Sequence, residues 1–399
     1  MLRHIRLIII ILYIPIPFYA FAGGAGLCRF GAAGLSRFGG AGPFSFSCAT
    51  SRAGRPPGRA GAPADTALAF FKADHPYIRY TGRVDFSHPG EPRFWAPGVY
   101  IQVRFEGPAC LLVLKDEVLY GTSHNYLEIA IEGEKPYRVQ TKGKTDTLRV
   151  IFSATKGPHT LTITKDTESG IGYLAFCGIS CQKLLPPPAP PSRKIEFIGN
   201  SITCGTGSDL SLFPCGQGAW YDQHNAYLSY GPTTARRLNA QWTLSSVSGI
   251  GLIHSCCDMT ITMPPVFDKV NMRSDSILWD FHRYQPDVVT VCLGQNDGVQ
   301  DSTVFCTAYV RFLDSLRGYY PKAAIICLTS PMADSVLAAV MRHYIGAAER
   351  EMHRKGDRKV YTCFFSKQYH HGCGGHPDLE EHQAIAGELV ACIKKVEGW

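Results

Sequence analysis

Lys194-Ile195-Glu196-Phe197-Ile198-Gly199-Asn200-Ser201-Ile202-Thr203 is a short apolar run that stops on glycine, asparagine and serine. An apolar segment of strand length that ends on glycine and a small nucleophile puts the serine at the carboxyl end of a sheet strand. Open α/β sheets keep their ligand crevice there. Ser201 is therefore the candidate nucleophile. The plainer alternative is that Asn200-Ser201 turns the chain or caps a helix. Three later pieces weigh against that alternative: Ser248-Gly249-Ile250-Gly251, Gly294-Gln295-Asn296-Asp297 and His376-Pro377.

Working outward from Ser201, strand-like runs at Ile195 to Ile198, Trp242 to Val247, Asp287 to Leu293, Ala324 to Leu328 and Val360 to Phe364 alternate with helical patterns. The helices are expected at Leu228 to Leu238, Pro265 to Phe281, Val304 to Leu316, Ser335 to His353 and Leu379 to Val396. In the third, Val304, Phe305, Ala308, Phe312, Leu313 and Leu316 recur at helical spacing as a core-facing stripe. Asp378 with Glu381 three residues on is a capping-box pattern before the last helix. The alternation predicts an α/β fold, a doubly wound parallel five-stranded sheet of flavodoxin-like type, over residues 194–399.

Upstream, Leu184-Leu185-Pro186-Pro187-Pro188-Ala189-Pro190-Pro191 reads as a stiff polyproline linker over 184–193. Residues 65–183 hold eight short β-rich runs at even spacing between Tyr77 and Cys177, the pattern of an antiparallel β-sandwich or jelly roll. Residues 23–64, rich in Gly, Ala, Arg, Ser and Pro, read as a disordered tether, because such a composition cannot bury enough apolar surface to offset ordering. Residues 1–22 read as a signal peptide: basic Met1 to Arg6, apolar Leu7 to Phe18, then Ala20-Phe21-Ala22 as a small-x-small cleavage site. A secreted or periplasmic location follows, with no stable membrane insertion once the signal is removed.

The chain of 399 residues carries a net charge of +7, and residues 1–64 account for all of it through seven arginines and no acidic residue. A folded body whose charges cancel has no electrostatic footprint for nucleic acid. Fifteen cysteines cannot all pair within one chain. Cys292, Cys327 and Cys363 lie in apolar runs where a thiol behaves as a small hydrophobe, so few bridges are expected. Whether Cys256 or Cys257 is bonded is open from sequence.

Acyl transfer needs a nucleophile, a base and donors aimed at the developing oxyanion. Loops after the strands of a doubly wound sheet converge at one edge. That rim would carry Ser201 after the first strand, Gly249 and Gly251 after the second, Asn296 after the third and His376 after the fifth. Taken singly, Gly-Ile-Gly is an ordinary loop, Asn296-Asp297-Gly298 a turn and His376 one histidine of fourteen. His370, His371, Cys373 and His376 hint at a metal cluster but lack a second ligand pair at zinc spacing, so neither metal nor organic cofactor is expected.

In that order, Gly199-Asn200-Ser201, Ser248-Gly249-Ile250-Gly251, Gly294-Gln295-Asn296-Asp297 and His376-Pro377 resemble the sequence blocks of the SGNH (GDSL-like) hydrolases. Joined to a jelly roll, the chain from about 75 to 399 resembles carbohydrate esterase family two. Thr167-Glu168-Ser169-Gly170 and Asn225-Ala226-Tyr227-Leu228-Ser229-Tyr230-Gly231 add to the likeness. The resemblance implies Ser201 as nucleophile, His376 as base, and an oxyanion hole made of the Ser201 and Gly249 backbone N–H groups and the Asn296 side chain, with Gly251 the fallback. It implies an exported carbohydrate O-acetyl esterase acting on hemicellulose-type polysaccharides or oligosaccharides through an acetyl-serine. The other readings are a non-catalytic carbohydrate-binding protein and an esterase for another acyl group, a lipid or sialic acid acetate.

Two departures stand out. Asn200 replaces the name-giving aspartate, and Cys373 occupies the position three before the histidine where these hydrolases commonly carry the triad's acid. Asp378 is explained as a helix cap, so the imidazole is expected to be oriented by a backbone carbonyl, in a Ser-His dyad or atypical triad. Of the aromatics that could face a sugar, Trp220, Tyr227, Tyr230, Trp279 and Tyr369, none is assigned.

Overall fold

The structure, a computed structural model, describes residues 68–399 apart from 153–156 and 275. The expected signal peptide and tether lie outside the described residues.

The first part is all β: β1 (Ala69–Lys72), β2 (Arg79–Thr81), β3 (Arg93–Phe94), β4 (Tyr100–Glu106), β5 (Ala109–Asp116), β6 (Tyr126–Ile131), β7 (Tyr137–Gln140), β8 (Thr145–Ile151), β9 (Pro158–Lys165), β10 (Leu174–Cys181) and β11 (Lys183–Leu185). They form two antiparallel sheets, ordered β1-β10-β5-β8 and β11-β4-β9-β6-β7, with β3 beside β10 and β2 beside β4. In β5, Cys110, Leu112 and Leu114 are buried while Ala109, Leu111 and Val113 are only partly covered. This alternation puts one face of the strand inward. It meets Val103, Phe105, Ile129, Leu161 and Ile163 of the other sheet in one core. β1, β3 and β11 were not expected; two to four residues of ladder leave almost no periodicity to read.

The second part contains β12 (Arg193–Gly199), α1 (Ser201–Cys204), α2 (Tyr230–Arg237), β13 (Ala240–Ser246), α3 (Met263–Val266), β14 (Val288–Cys292), α4 (Ser302–Tyr319), β15 (Ala324–Leu328), α5 (Ser335–Arg354), β16 (Val360–Cys363) and α6 (Leu379–Glu397). The sheet is parallel, ordered β13-β12-β14-β15-β16. β13, β14 and β15 are buried along their whole length, as a sheet covered on both faces requires. One face packs on α4 and α5 through Val291, Ile325, Phe312 and Ile345, the other on α2 and α6 through Phe197, Leu328, Tyr230 and Leu389. The order reverses at β12 and β14, and the ligand crevice of such a sheet opens at that switch point.

The expected helix at Pro265 to Phe281 does not form; only α3 and a single 3-10 turn, Phe281–Arg283, are helical there. The carbonyls of Phe267 and Lys269 point at the buried Arg83 guanidinium instead of up a helix. Val270 N–H then bonds to the Ile277 carbonyl across a turn, at 2.9 Å. In the α4 stripe Phe305, Phe312, Leu313 and Leu316 are buried as expected, whereas Val304 is exposed.

The sandwich and the α/β part pack directly. Trp242 Nε1 donates to the Gly98 carbonyl at 3.0 Å, and Arg83, fully buried, pairs with Glu196 of β12 at 3.2 Å. The proline run lies along this junction: Arg79 donates to the Pro188 carbonyl and Gln241 to that of Pro191.

Candidate active site

Ser201 is the first residue of α1. Asn200 caps that helix, its Oδ1 accepting from Ile202 N–H at 3.2 Å. Asparagine at this position thus serves as well as aspartate would. Gly199 has to be glycine, because a Cβ there would lie 2.0 Å from Thr203 Oγ1. The strand therefore turns into the helix without a side chain in the way. Ser201 N–H is among the donors that a first helical turn leaves without an intrahelical partner.

His376 follows the 3-10 turn Cys373–Gly375. Its Nε2 lies 2.8 Å from Ser201 Oγ, and its Nδ1 lies 3.1 Å from the Cys373 carbonyl. A carbonyl accepts only, so Nδ1 carries the proton and Nε2 is left to accept from the serine hydroxyl. Burial holds the His376 imidazole below its ordinary value of 6.5, opposed by the hydrogen bond to Cys373. Asp378 is engaged elsewhere: its Oδ1 accepts from Glu381 N–H at 2.8 Å, and the Glu381 side chain accepts from Asp378 N–H.

Gly249, at φ +84°, lines the same cleft as Ser201, Asn296 and His376, and among the described residues its N–H has no partner. Asn296 Nδ2 donates one N–H to the Ile250 carbonyl at 2.8 Å, which fixes the amide and leaves a second N–H. Gly251 is not placed as its fallback role requires. Its N–H donates to Ser255 Oγ at 3.0 Å, and a Cβ there would sit 1.8 Å from the His254 carbonyl oxygen. Gly251 therefore makes a tight turn.

Several cleft residues escaped the sequence reading. Asp297 accepts from the N–H groups of Leu252, Ile253 and His254 at 2.9, 2.7 and 3.0 Å, and so sets the loop that carries Gly249. The sandwich supplies Tyr120, Glu168 and Gly170 to the cleft, whose volume is about 650 Å³. Glu168 accepts from Ser248 N–H at 3.1 Å, and burial raises its carboxyl above the usual range. Cys256 and Cys257 are bonded to each other on the cleft wall, and Cys215 is bonded to Cys373. Of the named aromatics only Trp220 is exposed at the cleft; Tyr227, Tyr230, Trp279 and Tyr369 are buried. A spacing pattern could flag Glu168, which lies in a quoted block, but nothing in the sequence ties Tyr120 to a serine 81 positions away.

Of the residues that hinted at a metal, Cys373 is in its disulfide, His376 is on Ser201 and His370 is exposed. A different trio, His371, Asp378 and Glu381, brings ligand atoms within 4.8 Å of one another. The helix cap and the His371 N–H to Glu381 bond, at 2.8 Å, account for that cluster.

Residues 80–188 match the family described as Carbohydrate esterase 2 N-terminal, and residues 197–365 the GDSL-like Lipase/Acylhydrolase family. The chain is 33% identical over 341 residues to the Cellulase/esterase CelE of Acetivibrio thermocellus, covering 82% of this chain but only 40% of that protein. An Acetylxylan esterase / glucomannan deacetylase of Cellvibrio japonicus is 26% identical, over 82% of this chain and 91% of its own length. Among solved structures, a family two carbohydrate esterase from Clostridium thermocellum in complex with cellohexaose superposes with a TM-score of 0.73 at 32% identity. That match covers 81% of this chain and 99% of the other. A family two carbohydrate esterase from Cellvibrio japonicus gives 0.76 at 25% identity, covering 84% and 99%.

Proposed function

Since the chain belongs to carbohydrate esterase family two and is a carboxylic ester hydrolase, we propose that it removes acetyl groups from hemicellulose-type polysaccharides or oligosaccharides through an acetyl-Ser201 intermediate. The observation that carries this reading is the relay from Ser201 Oγ to His376 Nε2 at 2.8 Å and from Nδ1 to the Cys373 carbonyl at 3.1 Å. His376 takes the serine proton as Oγ attacks the acetyl carbonyl. The oxyanion is met by the Ser201 and Gly249 N–H groups and the free N–H of Asn296. Collapse returns the proton to the sugar oxygen, which leaves. A water, deprotonated by the same imidazole, then attacks the acetyl carbonyl, and collapse breaks the bond to Ser201 Oγ, which regains the proton from the imidazolium as acetate leaves. The Cys373 carbonyl dipole stabilises the imidazolium where a triad has a full negative charge, so the relay is a dyad with a neutral orienting group.

The cleft is open enough for a glycan to reach Ser201, and a relative is known bound to cellohexaose, which supports a carbohydrate ester over a lipid one. Export rests on the signal-like residues 1–22. No helix among the described residues is long and apolar enough to cross a membrane. The chain is proposed to divide into a leader 1–22, a tether 23–64, a sandwich 65–183, a linker 184–193 and a hydrolase domain 194–399.

The test is hydrolysis of p-nitrophenyl acetate and acetylated xylan by wild type and Ser201→Ala. Removal of the nucleophile should lower kcat by about 10⁴-fold or more. Equal acetate release by both proteins would sink the proposal and favour a binding module.

A further inference from the structure

The turn that presents His376 is glycine-rich and has little conformational preference of its own. Gly372, Gly374 and Gly375 surround Cys373, and the last two glycines sit at φ +63° and +72°, exposed. A run of this kind samples many conformations in isolation. Yet its Cys373 carbonyl is the group that orients the base, at 3.1 Å. Within the turn His376 N–H donates to the Cys373 carbonyl at 3.2 Å and Gly372 N–H to the His376 carbonyl at 2.7 Å, and two longer-range constraints tie Cys373 to the rest of the fold. Cys373 N–H donates to the Gly207 carbonyl at 2.8 Å, and its sulfur is bonded to Cys215, in the loop formed by residues 210–220. That loop is ordered by bonds of its own, Gln217 N–H to the Pro214 carbonyl and Ala219 N–H to Asp222. The disulfide thus ties a self-organised strap to a glycine-rich turn. Strap and turn together line a second groove of about 400 Å³ beside His376, with Trp220 as the wall shared with the cleft of Ser201.

We propose that the Cys215–Cys373 disulfide is a positioning element for the base: by fixing the Cys373 carbonyl it holds His376 in the tautomer and rotation that meet Ser201. The inference rests on the esterase reading above. The strap holds no Asp, Glu, Lys, Arg or His, so cutting the bond changes orientation with little change of local charge. The groups that face His376 from other elements stay in place. His224 and His382, both held neutral by burial with values near 3, lie close to it, and Glu168 and Arg273 share its cleft. On its own segment His371 is paired with Glu381 at 2.9 Å, and His370 is exposed.

The experiment compares wild type with Cys215→Ala/Cys373→Ala, which removes both sulfurs and keeps the carbonyl. Misplacement of the base should lower kcat on p-nitrophenyl acetate by about 10- to 100-fold. KM for this small ester should barely change. Loss of the bond to the carbonyl, which raises the imidazole, should also move the acidic midpoint of the kcat profile to lower pH. A merely destabilised protein would lose amplitude with the midpoint unmoved. If the double variant does not fold, Cys256→Ala/Cys257→Ala protein, which keeps only the bond in question among the described disulfides, is assayed before and after dithiothreitol. The reagent gives up two electrons and two protons and closes to its cyclic disulfide, leaving two protein thiols. The same fall, reversed on reoxidation with the thermal melt still cooperative, supports the proposal. A folded, disulfide-free protein with unchanged kcat and an unmoved or raised midpoint overturns it. Full activity in Ser201→Ala would instead overturn the esterase reading itself.

Discussion

Ser201 and His376 meet across 2.8 Å, yet they reach that contact on backbones of opposite character. The nucleophile stands on β12, buried from Ile195 to Gly199 and hydrogen-bonded to β13 on one side and β14 on the other. The base stands on a glycine-rich turn with no strand neighbour, held by a carbonyl, a backbone bond and a disulfide. One residue is placed by the hydrophobic core and the other by local cross-links. Stability and catalysis should therefore separate outside Ser201 itself: changes in the strand beneath the nucleophile cost folding energy, and changes in the turn that carries the base cost rate.

The largest expected effect is on the base. His376→Ala removes the proton acceptor and the partner of Ser201 Oγ, and kcat should fall by about 10⁴-fold. His376 is half-buried at the cleft but belongs to none of the apolar core clusters, so urea unfolding should move by no more than about 1 kcal/mol. A melt that collapses along with the activity would break the contrast. The same histidine gives a pH signature. Burial lowers its value below 6.5, and the neutral form is the active one. Activity is therefore retained at pH 6.5 and lost only as pH falls through the depressed value, which places the acidic limb of kcat/KM below 6.5.

On the other side, Glu196 of β12 is paired with the fully buried Arg83 of the sandwich. Glu196→Ala leaves a guanidinium without its counter-charge and should cost about 3–5 kcal/mol of stability. The Phe267 and Lys269 carbonyls that also bind Arg83 keep part of the compensation. Chemical denaturation measures the loss, and protein that remains folded should keep a kcat close to wild type. A large fall in kcat without loss of stability would mean that β12 carries chemistry as well as structure.

Between the two sides lies Asn296. Its amide is fixed by the Ile250 carbonyl, so the donor is oriented before substrate arrives. Asn296→Ala should lower kcat by about 10²–10³-fold with KM little changed, as removal of a single oxyanion donor does elsewhere. A change confined to KM would assign the amide to binding.

The contrast also explains what the sequence could tell. The parallel sheet and the position of Ser201 were legible because burial on both faces writes near-continuous apolar runs in β14 and β15 and an apolar run broken only by Glu196 in β12, and the helices between strands have a repeating stripe. His376 was legible only through its order after the fifth strand and before a capped helix. The Cys373 carbonyl was expected as a type of group, since no acid stands three residues before the histidine, but its bond to Cys215, 158 residues away, has no local signature. The segment from Pro265 to Phe281 is not a helix because its apolar residues are divided between the main core (Val266, Phe267, Met272) and a satellite cluster with Tyr284 (Val270, Trp279), and its carbonyls serve Arg83. Both are tertiary demands that override helical spacing.

The smallest effect tests what the sandwich gives to the site. Tyr120 is 85% exposed at the mouth of the cleft, on a backbone at φ +58° between Val118 at +50° and Gly121 at +76°. Left-handed backbone at a bulky residue is costly and persists where surrounding structure fixes it. Here the Val118 N–H bond to Asp116 at 3.0 Å starts the turn. An exposed ring held in that way offers a flat apolar face that a sugar can cover, contributing about 1 kcal/mol. Tyr120→Ala should therefore raise KM for acetylated xylan by about five-fold, the equivalent of that energy. It should leave kcat and the hydrolysis of p-nitrophenyl acetate unchanged, because the small ester does not extend to the rim. Equal kinetics on both substrates would reduce the sandwich to a structural partner of β12; a loss on both would place the ring against the reacting group itself.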